Sequence, residues 1–277
     1  MMKKRTGYWL GKKHTEGYKK NMSLSCSDKI VSEKTKEKLR TYYVKKNPID
    51  IDYFKHLNKR NAYVLGYLFA DGCLWKRRNR VNGRNLSFHS IDKELINKIK
   101  KEFKILHRKT KVIKDYRNGR YSYCITICNY YFIKYLIEQG MLAGKKSDRI
   151  FVPDAIKKDN ELFFAFFRGF FDGDGSINSI KYAVTPRCKI TTASKKLLIQ
   201  IKNLMNVYKI ITKPIESYEN QKCFALHFDG WVNTYNLYKL MYKNSDSLFL
   251  IRKKKRFEEF FHKRDLAILS NRGNFKK

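Results

Sequence analysis

Acid is what this chain most lacks. Its 277 residues carry 25 Asp and Glu against 61 Lys and Arg, a formal net charge of +36. A surplus of that size argues for a polyanionic partner and against an acidic one. Part of the excess follows a general bias toward Lys, Asn, Ile, Phe and Tyr. Long apolar runs are missing too: none approaches the roughly 20 residues a membrane span needs, and no basic amphipathic segment suits a lipid surface. No apolar stretch follows Met1-Met2-Lys3-Lys4-Arg5-Thr6-Gly7, so no secretory signal is expected. The six cysteines form no framework. Cys124 and Cys128 have no second pair to complete a zinc site, so reduced cysteines in an intracellular protein are expected.

What is present is an apolar core, with 43% hydrophobic residues, enough for one large or two small globular domains. Its organising stretch is Phe163-Phe164-Ala165-Phe166-Phe167-Arg168-Gly169-Phe170-Phe171-Asp172-Gly173-Asp174-Gly175. A second run, Ala62-Tyr63-Val64-Leu65-Gly66-Tyr67-Leu68-Phe69-Ala70-Asp71-Gly72, matches it when Asp71 is laid over Asp174. The two lie about one hundred positions apart, the length of one small domain. Ala62, Gly66 and Ala70 recur at i, i+4 and i+8, as do Ala165, Gly169 and Gly173. On helices these make two small-residue stripes that allow close backbone approach. Packing stripe on stripe would set Asp71 and Asp174 at the base of one seam. Two helix C-termini with their partial negative charge would converge there as well. Such a site suits a hard divalent cation such as Mg2+. A calcium loop at Asp172–Ile177 fails, because Ile177 stands where Gly is needed and Ala183 where Glu is needed.

The chain in order predicts four segments. Residues 1–47 are polar and basic. Thr15-Glu16 and Ser32-Glu33 each offer a hydroxyl N-cap and a first-turn Glu, which gives two short basic helices unable to form a core alone. From 48 to 150 the pattern reads helix, hairpin, helix, hairpin, helix. Strands fall at Cys73–Asn79 with Arg84–Ser90 and at Lys111–Tyr116 with Tyr121–Cys128, turning at Asn82-Gly83 and Asn118-Gly119. After a junction with a breaker at Pro153, residues 151–264 repeat the order. Strands there fall at Ser176–Ala183, Arg187–Thr192, Thr212–Tyr218 and Lys222–Phe228, and a last helix at Arg252–Lys263. Residues 265–277 read as a loosely held basic tail.

This paired motif resembles that of the LAGLIDADG homing endonucleases in their single-chain, two-repeat form. Val64–Gly72 is a divergent copy and Phe167–Gly175 a close one. Gly7-Tyr8-Trp9-Leu10-Gly11-Lys12-Lys13-His14 resembles the small DNA-binding repeat appended to many such nucleases. The resemblance implies an α+β fold of two pseudo-symmetric αββαββα repeats forming a saddle-like antiparallel sheet, plus the basic extension. It implies a monomer that cuts both strands of a long asymmetric DNA site with Mg2+, for which Mn2+ or Ca2+ substitutes in vitro. Asp71 and Asp174 would be the metal ligands and catalytic carboxylates, beside the backbone carbonyls of Ala70 and Gly173. By position Lys146 and Lys253 match the family's lysines that shape the water network. Asp172 would be a supporting residue, since Phe69 stands in its place in the first copy. His89 and Thr191 fall near a second polar position.

Lys12, Lys13, Arg77, Arg78, Arg80, Arg84, Arg117, Arg120, Lys181, Arg187, Lys189 and Lys222 are the DNA-binding candidates. The same fold would also serve an RNA-binding maturase acting on its host intron, or a non-catalytic DNA-binding regulator. Both motif Asp favour the enzyme. No intein splicing blocks are recognised, which leaves an intron-encoded or free-standing mobile-element nuclease. It would act in the cytoplasm of a phage-infected or bacterial cell, or in an organelle.

Overall fold

The computed structural model describes residues 14–27, 31–46, 48–76, 84–105, 109–114, 119, 121–141, 149–179, 185–218, 222–243, 245 and 247–273. Lys12, Lys13, Arg77, Arg78, Arg80, Arg117, Arg120, Lys146 and Lys181 lie outside them. The chain divides into two compact units, Met1–Lys46 and Asn47–Lys277.

The first unit holds helices α1 (Glu16–Ser27) and α2 (Glu33–Lys46). Their starts are built alike, as the sequence predicts. The Tyr18 N–H donates to Thr15 Oγ1 and the Thr35 N–H to Ser32 Oγ, both at 3.3 Å. Each helix then closes an i,i+3 ion pair in its first turn, Lys19 with Glu16 and Lys36 with Glu33. Most of the described side chains are exposed.

The second unit contains both repeats. The first runs α3 (Lys59–Asp71), β1 (Gly72–Lys76), β2 (Arg84–Ser90), α4 (Lys93–Glu102), β3 (Lys111–Lys114), β4 (Tyr121–Ile127) and α5 (Tyr130–Glu138). A single-turn helix, α6 (Asp154–Lys157), marks the junction. The second repeat runs α7 (Asn160–Asp174), β5 (Gly175–Ser179), β6 (Pro186–Thr192), α8 (Lys195–Val207), β7 (Glu216–Tyr218), β8 (Cys223–Asp229) and α9 (Trp231–Tyr242), followed by α10 (Ile251–Gly273). Each repeat forms a four-stranded antiparallel sheet, ordered β1-β2-β4-β3 and β5-β6-β8-β7.

Polar residues fix where the helices begin. Asn58 caps α3 by accepting from the N–H groups of Arg60 and Asn61, and the Asn61 side chain returns a bond to the Asn58 N–H at 2.7 Å. Asp159, Ser194 and Asn129 cap α7, α8 and α5 in the same way. The core lies between the sheets and the helices. In β2 Leu86 and Phe88 point into it, in β6 Cys188 and Ile190, and in β8 Leu226 and Phe228. The alternate residues line the open face of each sheet.

Three details differ from the sequence expectation. The last helix is longer than expected: α10 continues from Ile251 to Gly273, because no proline or glycine interrupts it earlier. Lys222 is not a strand residue but sits in the turn before β8 with φ +50. The strand expected from Thr212 forms only at Glu216–Tyr218.

Candidate functional site

The site is built on the α3–α7 seam. A Cβ added to Gly66 would lie 1.9 Å from the Phe166 carbonyl oxygen, and one added to Gly169 would lie 1.9 Å from that of Tyr63. The two contacts are reciprocal, since each glycine meets the residue three positions before the other glycine. That reciprocity is the signature of a local pseudo-twofold axis. The helices therefore touch backbone to backbone. Phe69 and Phe166, edge to face at 5.5 Å, pack beside the seam.

Asp71 and Asp174 are the last residues of their helices, and both are half-buried. At this end the seam is still close. A Cβ on Gly173 would lie 2.3 Å from the Ala70 Cβ and 3.3 Å from Asp71 Oδ2. The Asp71 carboxylate is thus held against the residue that precedes Asp174. Gly72 and Gly175 then turn each helix straight into a strand, and a Cβ at either would lie 2.4 Å from the carbonyl of Leu68 or Phe171.

Beneath Asp174 lies a buried charged network that only part of the sequence reading reached. The Lys253 ammonium donates to the carbonyls of Phe171 and Asp172 at 2.6 Å and to that of Gly173 at 3.4 Å. It caps the negative end of α7. Burial lowers its pKa to about 8, against the opposing pull of Asp172. Asp172, only 1% exposed, accepts from the Tyr63 hydroxyl and from the Leu250 N–H, both at 2.8 Å. Burial raises its pKa, while Lys253 and these hydrogen bonds work the other way.

Arg168, 3% exposed, donates Nε to the Leu248 carbonyl at 3.0 Å and Nη1 to that of Met241. Its guanidinium stacks over the Tyr63 ring at 5.1 Å. The network ties α7, α3 and the start of α10 together, one turn from Asp174. The roles of Arg168 and Tyr63 were not foreseen, though an Arg four residues before an Asp inside an apolar run was a readable sign. The first repeat has Leu65 and Phe69 in place of Arg168 and Asp172.

The remaining candidates are dispersed. His89 and Thr191 occupy equivalent positions, opposite Cys124 and Ala225. The His89 carbonyl accepts from the Tyr67 hydroxyl at 2.8 Å. Arg187 and Lys189 lie on the open face of the second sheet, and Arg84 opens β2. That face also carries Asp229, His227 and Glu216, which no local sequence pattern marks. Among the described residues no cluster of three or more His, Cys, Asp and Glu could hold a metal. Two carboxylates are nevertheless hard oxygen donors, of the kind a divalent cation with further water ligands takes.

Two αββαββα repeats joined at a small-residue seam, with one acidic residue closing each seam helix, define the two-repeat LAGLIDADG class. A LAGLIDADG-like domain matches residues 58–139 and 161–262, and the chain belongs to that family. Among solved structures, a mutant of I-SmaMI is similar with TM-score 0.52 at 14% identity, covering 79% of this chain and 94% of that one. The homing endonuclease I-WcaI bound to its DNA recognition sequence is similar with TM-score 0.50 at 15% identity, covering 74% and 90%. A probable translation initiation factor IF-2 of Methanocaldococcus jannaschii is 26% identical over 92% of this chain and 22% of its own length. An uncharacterised protein of the same organism is 24% identical over 77% of this chain and 24% of its own. The chain thus spans less than a quarter of the length of these curated relatives. Among the described residues no helix is long and apolar enough to cross a membrane.

Proposed function

We propose that this protein is a site-specific DNA endonuclease that hydrolyses both strands of a long asymmetric duplex site. The observation that carries the reading is the pairing of Asp71 with the Gly173–Asp174 end of α7, at the base of a pseudo-symmetric seam in a strongly basic LAGLIDADG chain. Asp71 and Asp174, with the carbonyls of Ala70 and Gly173, would hold a divalent cation, Mg2+ in the cell and Mn2+ in vitro. Such an ion lowers the pKa of a bound water and neutralises charge on the phosphate.

The chain's own groups supply the rest. The two carboxylates orient the attacking water against each strand. Lys253 adds positive charge at the helix end where phosphate charge grows, and Lys146 has the corresponding role in the first repeat. The open sheet faces, with Arg187 and Lys189, meet the major groove, where Arg and Lys recognise guanine edges. The extension 1–47 lengthens the contact along phosphates. Because the pseudo-twofold lies inside one chain, the active species is a monomer.

The test is cleavage of the intronless allele. Mg2+-dependent double-strand cutting is expected, with Asp71→Asn and Asp174→Asn each removing it while binding persists. Tight binding without cleavage by the wild-type chain in Mg2+ or Mn2+ overturns the enzyme reading. It would assign the chain to non-catalytic DNA binding.

A further inference from the structure

We infer that the two sheets read chemically different half-sites. The half under the second sheet holds G·C pairs read through charged side chains. The half under the first sheet is rich in A·T pairs read through thymine methyl groups. This deepens the endonuclease reading and rests on it, because it takes the open sheet faces to be the DNA-facing ones.

The argument comes from strand register. Gly72 pairs with Phe88 and Gly175 with Ile190, so the rows beyond these glycines correspond between sheets. In the first such row of the open face, the first sheet sets Cys73, Ser87 and Thr126 side by side. The second sheet sets Ser176, Lys189 and His227. In the next row the first sheet has Trp75 opposite Asn85. The second has Asn178, Arg187 and Asp229. In these two rows equivalent positions are therefore neutral in the first sheet and ionic in the second, and the one Lys on the described open face of the first sheet, Lys111, stands outside them opposite Cys124.

The ionic rows are also pre-arranged. Asp229 Oδ2 accepts from Arg187 Nε at 3.2 Å and from Lys213 Nζ at 2.7 Å. That bond holds Arg187 by Nε, whereas pairing with guanine O6 and N7 uses the fork of a guanidinium. His227, 3% exposed, is pinned through Nε2 to Glu216 Oε2 at 3.0 Å, and the Tyr218 hydroxyl donates to the same oxygen at 3.0 Å. Lys189 Nζ stands 5.7 Å over the Tyr218 ring. Of these groups Arg187 and Lys189 are the donors left to reach a base edge, and fixed donors of this kind favour G·C pairs.

The neutral rows present other chemistry. Trp75 is 38% exposed, and Thr126 offers a methyl group beside the small Ser87 and Cys73. Apolar contact of this sort recognises the thymine methyl. Ile113, 41% exposed and opposite Ser122, adds a separate apolar point beyond the row of His89, Cys124 and Lys111.

The test is selection of binding sites by the full chain from duplex DNA randomised across both half-sites, without metal, followed by sequencing. The expected outcome is G·C pairs concentrated in one half and thymines in the other. Combined Arg187→Ala and Lys189→Ala should reduce discrimination about tenfold or more at G·C positions of one half and leave the other half unchanged. Arg187→Lys, which keeps the charge and loses the fork, should do the same at one base pair with little loss of overall affinity. Trp75→Ala should relax only the thymine-rich half. Two halves of like composition, or relaxation of the thymine-rich half by the Arg187 and Lys189 changes, overturn the inference and leave the nuclease reading standing. A selection that remains random in both halves overturns the two together.

Discussion

Gly173 couples catalytic geometry to the packing of the seam. Its missing side chain leaves room for the Ala70 Cβ and the Asp71 carboxylate. Gly173→Ala should therefore displace Asp71 and cut the cleavage rate on the order of a hundredfold, with DNA affinity within about threefold. Single-turnover cleavage and equilibrium binding, measured side by side, check the split. Asp172 behaves differently. Asp172→Leu strands the Tyr63 hydroxyl and the Leu250 N–H and removes the buried acid from a network that buries Arg168 and Lys253. A loss of about 3–5 kcal/mol in urea unfolding is expected. Asp172→Asn keeps a carbonyl acceptor in the same place and should cost less. In the sequence Asp172 ranks below Asp174 because Phe69 replaces it in the other repeat. That the same carboxyl holds the start of α10 leaves no mark in sequence, since Leu250 and Lys253 come within reach only after folding.

Among the elements, the α3–α7 pair is the most legible from sequence and the least tolerant of change. Small residues at every fourth position in two matching runs predicted both the helices and their contact. The observed approach, with no side chain between Gly66 and Phe166 or between Gly169 and Tyr63, leaves no space for a methyl group. Gly169→Ala should destabilise by about 3 kcal/mol or more and lower the melting temperature measured by calorimetry. The hairpins were legible for a local reason: alternation fixed the strands, and Gly119 has the positive φ of +67 that an Asn-Gly turn requires. The last helix outruns its sequence pattern. Phe257 and Phe260 marked its buried face. Its continuation has no such alternation against a core, so only the absence of a breaker before Gly273 signalled it. Arg264 stacks on Trp231 at 5.5 Å in this stretch. The ion pairs of the second sheet were illegible because Arg187 and Asp229 lie far apart in sequence and meet through register alone.

At the scale of the whole molecule, charge and modularity govern behaviour toward DNA. A net charge of +36 predicts affinity that falls on the order of a thousandfold between about 50 and 200 mM salt, which titration by fluorescence anisotropy checks. The two compact units, Met1–Lys46 and Asn47–Lys277, imply that removing the first leaves the second folded. A chain starting at Asn47 should cut at the same phosphates with a shorter footprint and weaker binding. A footprint of unchanged length would show that the first unit makes no DNA contact.

The reciprocal glycine contact also sets the order of events during synthesis. Its two helices are encoded about one hundred residues apart, so the first must emerge from the ribosome and wait for the second. Until then the face bearing Ala62 and Gly66 is uncovered, and its nearest equivalent is the same face on another nascent copy. A first repeat made alone is therefore expected to pair with itself, so the helix that makes the finished chain self-sufficient would make its first half self-associating.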